Sequence, residues 1–305
     1  MKKLLILVLV FLLFSLCACH EDEINNESQG YTIKDDLGNE ITFTPNDRVS
    51  ALHASFADCW LLAGGELCGA TLDAVNDQGI DVGDAQIVGT AKTVNLEKLI
   101  SSGTTVALLS SDLAAHKEMK SELEGLGIKC AYFCVNTFYD YVRLMARFCA
   151  VTQRDDLYQK NVTEVKEKIE KIKADIPKSQ VNKTVLLIRA YSSGIKAKGE
   201  DNIAGYILKE LGFVNIASMY PSILEDISLE HIVSTNPDFM LVLTMGNEDS
   251  ALAYLKEGLE DNSAFKELDA VRMGNYHILP KELFHYKPNE RWSESYEYLA
   301  QLLYE

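Results

Sequence analysis

Positive charge is the first thing in short supply. The 305-residue chain has 29 lysines and arginines against 45 acidic residues, a formal charge of −16, or −18 without Lys2 and Lys3. Such an acidic surface argues against nucleic acid and against electrostatic binding to anionic lipid, though it says little about the local charge of a pocket. Common catalytic signatures are missing too: there is no GxxxxGK[ST] phosphate loop, no GxGxxG after a strand, no GxSxG elbow and no HExxH helix. Aspartates and histidines are scattered, and no loop is rich in histidine. Of the seven cysteines, Cys17 and Cys19 end an apolar run, and Cys59, Cys68, Cys130, Cys134 and Cys149 follow, an odd number. Cys130 and Cys134 are four apart in an apparent strand, so their Cα atoms would be about 13 Å distant, too far to bridge. Their CxxxC spacing has no second Cys or His pair to complete a zinc site, and the five read as small buried hydrophobes. These absences leave an apolar content of 47% and a charged content of 24%, as in a soluble globular protein.

What is present begins with a leader. Lys2 and Lys3 precede the apolar run Leu4 to Leu16, which is too short for a comfortable membrane span and ends in Leu16-Cys17-Ala18-Cys19. This is a signal peptide over residues 1–18, and its last four residues resemble a bacterial lipobox. That resemblance implies cleavage before Cys19, lipidation of Cys19 and a membrane-anchored lipoprotein; Cys17 fits less well because large Leu16 precedes it. Residues 19–30 are polar and acidic, as expected of a flexible tether.

The organising stretch is Asp155 to Ile176. Val162, Val165, Ile169, Ile172 and Ile176 recur at spacings of three and four, one stripe of a 3.6-period helix. Lys166, Glu167, Lys168, Glu170, Lys171 and Lys173 fall on the other side. Asp155 and Asp156 suit the N-terminal end of the dipole, and Pro177 stops the helix. Before it, β-rich segments such as RVSALH, TVALL and IKCAYFCV alternate with helical ones; after it, KTVLLI, FMLVLT and YHIL do the same. The pattern predicts an α/β protein of two Rossmann-like lobes with mainly parallel sheets, each with its own core, joined by one long α-helix. The expected parts are an N-terminal lobe over 31–153, the linking helix over 154–177 and a C-terminal lobe over 178–305.

The order DDLGNEITFTPNDRV, GGELCGAT and VGTAKTVNLEKLISSGTTVALLSSD, followed by NIAGYILKELGFVNIA, ISLEHIVSTNPDFMLVLT and FKELDAVRMGNYHILPKELF, is similar to one family of solute-binding proteins. These serve ABC importers of iron–siderophore complexes, heme and cobalamin. The similarity runs from Tyr31 to Tyr304. It implies a periplasmic-binding-protein fold with a rigid linking helix, a ligand cleft between the lobes and capture without chemistry. It also implies delivery to a permease whose ATPase supplies the work, at the outer face of the cytoplasmic membrane, by a monomer that is not an enzyme and needs no cofactor. The family docks through one acidic residue per lobe. Asn95-Leu96-Glu97 matches its first docking segment, making Glu97 one candidate, and LKELG supplies Glu210, one position from a strict register.

Ligands of open α/β sheets bind beyond the carboxyl ends of the strands. That rule selects His53, Ser55, Phe56, Thr90, Lys92, Ser110-Ser111-Asp112 and Asn136 in the first lobe, and Arg189, Tyr191, Lys196 and Met245 in the second. RAYSSGIKAK, Arg189 to Lys198, brings two lysines, and the stretch KELFHYKPNERW adds Phe284, His285, Tyr286, Lys287, Arg291 and Trp292 in an otherwise acidic chain. Arginine forks and aromatic rings suit a large anionic ligand, so the expected cargo is an iron(III)–siderophore complex. Heme remains open, with Tyr191, His53, His285 or Tyr286 as an axial ligand, as does cobalamin. A bare zinc or manganese receptor is the more distant alternative, because it needs three or four His and carboxylate ligands and only His53 and His285 are well placed.

Overall fold

The computed structural model describes residues 30–177, 182–224 and 227–304. The leader, Cys19 and all of the expected tether except Gly30 lie outside the described residues. No described helix is long and apolar enough to cross a membrane.

A hairpin opens the described chain, β1 (Tyr31–Lys34) against β2 (Glu40–Phe43). Gly38, at φ 87°, supplies the left-handed residue of its turn, and the Asp35 carboxylate accepts the amides of Leu37 and Asn39. Five parallel strands then form the first sheet: β3 (Val49–Ala51), β4 (Gly69–Ala70), β5 (Gln86–Ile87), β6 (Val106–Ser110) and β7 (Lys129–Phe133), in spatial order β5-β4-β3-β6-β7. Helix α1 (Ala54–Leu62) follows β3, and α2 (Phe138–Thr152) follows β7 with Thr137 and Asp140 forming a reciprocal capping box. The hairpin is anchored beside β7: the Asp35 and Asp36 carboxylates accept the amides of Tyr132 and Cys134, and Arg147 reaches Asp36 at 2.6 Å.

The linking segment is helical from Asp155, but not as one regular α-helix. Asp155–Tyr158 passes through a π-helical turn, Gln159–Thr163, into α3 (Glu164–Ala174). The expectation of an unbroken 3.6-residue period is corrected there, and Asn161 shows the reason. It is buried, its Nδ2 donates to the Leu62 carbonyl at 2.9 Å, and its own carbonyl accepts the Tyr141 hydroxyl at 3.0 Å. A widened turn aims one polar residue inward while both of its polar ends find partners on α1 and α2. The predicted stripe otherwise holds: Val162, Val165 and Ile169 are buried, and Ile172 and Ile176 half-buried.

The second sheet carries β8 (Thr184–Tyr191), β9 (Gly194–Ala197), β10 (Val214–Asn215), β11 (Phe239–Thr244) and β12 (Tyr276–Ile278). Its parallel order is β10-β8-β11-β12, with β9 antiparallel to the end of β8. Helices α4 (Ile203–Glu210), α5 (Lys281–Phe284) and α6 (Trp292–Tyr304) belong to this half. Two local expectations change. The strand read at 183–188 continues to Tyr191 and turns back as β9, and Asn215 ends a strand and caps a short helix, Ile216–Met219.

Strand alternation explains how the halves meet. Val49, Ala51, Val106, Leu108, Ala131 and Phe133 face one side of the first sheet, and Val185, Leu187, Leu241 and Leu243 one side of the second. Both sets belong to a single apolar cluster that also contains Phe148 of α2, Ile169 of α3, Ile207 of α4 and Trp292 of α6. The opposite faces bury separate clusters, one around Leu109 and Tyr132, the other around Ile188 and Val242. The halves therefore share one core in addition to the smaller cluster that each buries on its other face. Ile169, at the middle of it, is 2% exposed. Replacing Ile169 with Ala is expected to cost about 2–5 kcal/mol, the usual range for truncating a buried aliphatic side chain. In denaturant the Trp60 and Trp292 emission of single-tryptophan variants should follow one common midpoint, and two separate transitions would contradict a shared core.

Candidate functional site

Each sheet has one place where consecutive connections leave to opposite sides: between β3 and β6 in the first, and between β8 and β11 in the second. Such switch points open a crevice at the carboxyl ends of the strands. The two crevices meet in one cavity of about 460 Å³. His53 and Phe56 enter it after β3, Ser110 and Asp112 after β6, and Val135 and Asn136 after β7. From the other half come Arg189 of β8, Lys198 just past β9, Asp201 to Ile203 at the start of α4, Met245 after β11, and Phe284, His285 and Lys287 at the end of α5 and beyond.

Arg189 is placed by alternation. Val185 and Leu187 point into the shared core, so Arg189, two residues further and opposite Leu243 in register, points the same way where the core has ended and the cavity begins. Its Nε is buried without a hydrogen-bond partner, and no described carboxylate lies within ion-pair distance of it. A guanidinium stays charged in a protein, so this is an uncompensated cation at the wall of a cavity. Lys198 is offset by Asp201 at 3.3 Å. Lys287 crosses the cavity and donates from Nζ to Asn136 Oδ1 at 2.8 Å. Burial lowers the Lys287 pKa, opposed by Asp112, Cys134 and Asp140, while Arg189 lowers it further.

Two imidazoles stand among these cations. Burial pushes His53 down to about 3, with the charges of Lys287 and His116 adding. Burial pushes His285 down to about 4, reinforced by Arg189, Lys281 and Lys287. Both are neutral at pH 7. The His53 ring lies 4.8 Å from that of Phe56, and its Nδ1 is 3.3 Å from Ser55 Oγ. The site thus offers unpaired positive charge, neutral nitrogen atoms and the rings of Phe56 and Phe284.

The remaining expected residues stand elsewhere. Ser55 is buried behind His53. Thr90 is half-buried and Lys92 exposed, in a loop closed by mutual Thr90–Thr93 bonds, and neither lines the cavity. Tyr191 and Lys196 line a neighbouring groove with Ser218 and Pro221. Tyr286 and Arg291 face a separate pocket of about 480 Å³, and Arg291 is bonded to Glu294 at 2.9 Å. Trp292 is fully buried in the shared core, against Phe138 and Tyr206. The 3-10 turn Asn289–Arg291 accounts for this split, since it rotates successive side chains away from a single wall. Lys198, Phe284 and Lys287, from the two cationic stretches, do stand at the cavity. Lys198 is brought back beside β8 by the antiparallel pairing of β9 with it.

A cavity where the switch points of two parallel sheets meet is what this geometry defines. The sequence profile of the periplasmic binding protein family matches residues 59–283, and the chain belongs to that family. Among solved structures, an ABC transporter substrate-binding protein from Listeria monocytogenes EGD-e aligns at TM-score 0.68 and 17% identity, covering 85% of this chain and 98% of that one. Staphylococcus aureus IsdE, complexed with heme, aligns at 0.67 and 14%, covering 85% and 100%. Bacillus subtilis FeuA, complexed with ferri-bacillibactin, aligns at 0.67 and 18%, covering 89% and 96%. At these identities the likeness is one of fold. No curated protein matches the chain.

The histidines make the cleft acid-sensitive in a defined direction. Each has a folded pKa below its ordinary 6.5, so the unfolded chain binds more protons and stability falls as pH drops through the interval. That interval runs from 6.5 to about 4 for His285 and to about 3 for His53. Thermal melts of His285→Gln should therefore lose less stability than the wild type on going from pH 6.5 towards 4. An equal acid loss in both proteins would show that His285 is not held neutral by its surroundings.

Proposed function

We propose that the chain is the extracytoplasmic receptor of an ABC importer and that its cleft holds an anionic iron(III) chelate of the siderophore type. The observation that carries this reading is Arg189, a charged fork at the cavity wall with a buried Nε and no described carboxylate beside it. An anionic ligand supplies the missing partner, and Lys287 adds a second cation once it releases Asn136. Bound chelates in two structural neighbours, ferri-bacillibactin in FeuA and staphyloferrin B in Staphylococcus aureus SirA, support the ligand class. No resident cofactor and no catalytic step are proposed, since the iron complex is cargo.

Heme is the second reading, favoured by the neutral imidazoles of His53 and His285, either of which offers an axial nitrogen. Tyr191 and Tyr286 do not line the cavity and are withdrawn from that role. Cobalamin calls for more aromatic wall than Phe56 and Phe284 provide. Among the described residues no group of three or more His, Cys, Asp or Glu gathers as a metal site, so zinc or manganese lacks a ligand set.

The remaining proposals follow the family. Lipidated Cys19 holds a monomer at the outer face of the membrane, and exposed Glu97, in the first turn of the helix capped by Asn95, meets the permease. Glu210 is a weaker docking candidate because Lys173 of α3 already holds it at 2.7 Å. An exposed carboxylate of this kind sets orientation more than affinity.

Equilibrium dialysis against ferri-bacillibactin, ferric staphyloferrin B, hemin and cobalamin tests the ligand class. A ferric chelate should bind best, and Arg189→Ala should weaken it about 10- to 100-fold, the worth of a hydrogen bond to a charged group. Preference for hemin, with its absorption band shifted by His285→Ala, would replace the siderophore reading by the heme one. Failure of every probe would remove both.

A further inference from the structure

On the other side of residues 284–291 lies the pocket of about 480 Å³, and there the two halves meet through polar groups. Asn289 is 2% exposed and sits in left-handed backbone at φ 51°. Its Nδ2 donates to Asp58 Oδ2 at 2.6 Å and to the Ser55 carbonyl at 3.2 Å, both on the first half. These bonds fix the orientation of the amide and leave its buried Oδ1 with no donor. The next residue, Glu290, also has a buried carboxylate oxygen, Oε2, with no donor, and it lines the same pocket as Asp58. Two bare acceptors on consecutive residues, an amide oxygen and a carboxylate oxygen, stand beside a second carboxylate, Asp58, and lack one thing: a hydrogen. Buried acceptors without donors are costly, and a protonated carboxyl is a group that can supply one.

We propose that Asp58, Asn289 and Glu290 form a proton-operated latch across the seam between the halves, tight when one carboxyl is protonated and loosened when both are ionised. Burial pushes Glu290 up to about 7, with the Asp58 charge adding, and burial also raises Asp58. The neighbourhood offers little to undo this. From α1 and α2 come the Cys59 thiol and the Tyr141 phenol, both pushed up by burial and uncharged near neutrality. The loop after Leu72–Asn76 brings Asp77 and Asp81, which add negative charge, and the 281–287 stretch brings Glu282, Tyr286 and Lys287. Arg291 favours ionised Glu290 but is already bonded to Glu294, itself a carboxylate that opposes ionisation.

The latch reaches the cleft through the chain itself. His285 and Lys287 line the cavity on the same short segment, and Lys287 holds Asn136 of the first half. Ionisation of the junction would loosen that clasp, so ligand retention would become pH-dependent; this last consequence rests on the cleft being the ligand site.

The test needs no ligand. The two tryptophans flank the junction, Trp60 two residues after Asp58 and Trp292 two after Glu290. Their emission, followed from mildly acidic to mildly alkaline pH, should show one transition centred at about 7. His53 and His285, at about 3 and 4, do not titrate in that range. The transition should vanish in Glu290→Gln and move towards acid in Asp58→Asn. Hydrogen–deuterium exchange of residues 284–291, corrected for its intrinsic pH dependence, should accelerate several-fold above the midpoint in the wild type and stay level in Glu290→Gln. A flat wild-type titration, a transition unchanged in Glu290→Gln, or exchange that ignores the midpoint would each overturn the latch. None of these results touches the chelate assignment, and failure of every chelate to bind leaves the latch standing.

Discussion

The apolar cluster shared by the two sheets is the constraint from which the rest follows. Each sheet turns one face towards α2, the linking helix, α4 and α6, and those helices pack on one another and not on separate centres. A hinge needs a seam where few buried contacts cross. Here the seam behind the cleft is filled by Trp292 against Phe138 and by Ile169 among its neighbours. A close-packed interior does not bend by small amounts, because any wide opening must expose apolar area at about 25 cal/mol per Å². A wide opening between the halves is therefore disfavoured by the packing behind the cleft.

That rigidity gives the charge distribution its meaning. The chain is strongly acidic, yet Arg189 and Lys287 converge where the core ends. In a cavity that cannot collapse, Arg189 cannot swing towards a surface carboxylate. A fixed cation in an acidic field attracts small anions and leaves bulk polyanions repelled by the remaining surface. The neutral state of His53 and His285 has the same origin, since the cations beside them add to burial in excluding a further proton. The positive charge of the cavity and the neutrality of the imidazoles are thus two results of one arrangement.

The fold was legible because its strands carry the signal twice, as β-rich runs and as places in an alternating βα order. KTVLLI, FMLVLT and TVALL each fall on strands of the two parallel sheets. The helical stripe of Val162, Val165 and Ile169 was legible for the same reason. The π-turn was not, because its cause lies in Tyr141 and Leu62, roughly twenty and a hundred positions away from Asn161. The strand-end rule located His53, Phe56, Arg189, Met245 and His285 at the cavity, since backbone topology alone determines where those ends lie. It was less sure in KELFHYKPNERW, where twelve residues bend through α5 and a 3-10 turn and composition does not say which side each faces. Trp292 went to the core, Arg291 to Glu294, and Lys287 to the cleft.

That same stretch explains why one short segment serves both sides of the seam. Its residues alternate between the cavity and the junction: His285 and Lys287 line the first, Tyr286, Glu290 and Arg291 the second, and Lys287 borders both. The main chain between them is anchored by Asn289, whose left-handed backbone is tolerated by asparagine and strained in most other residues. A bulky β-branched side chain there would lose the bonds to Ser55 and Asp58 and oppose the backbone at once. The segment is thus tied to the first half at Asn289 and, through Lys287, at Asn136. In a molecule whose core forbids a hinge, that is the place where binding at the cleft and proton exchange at the seam can influence each other.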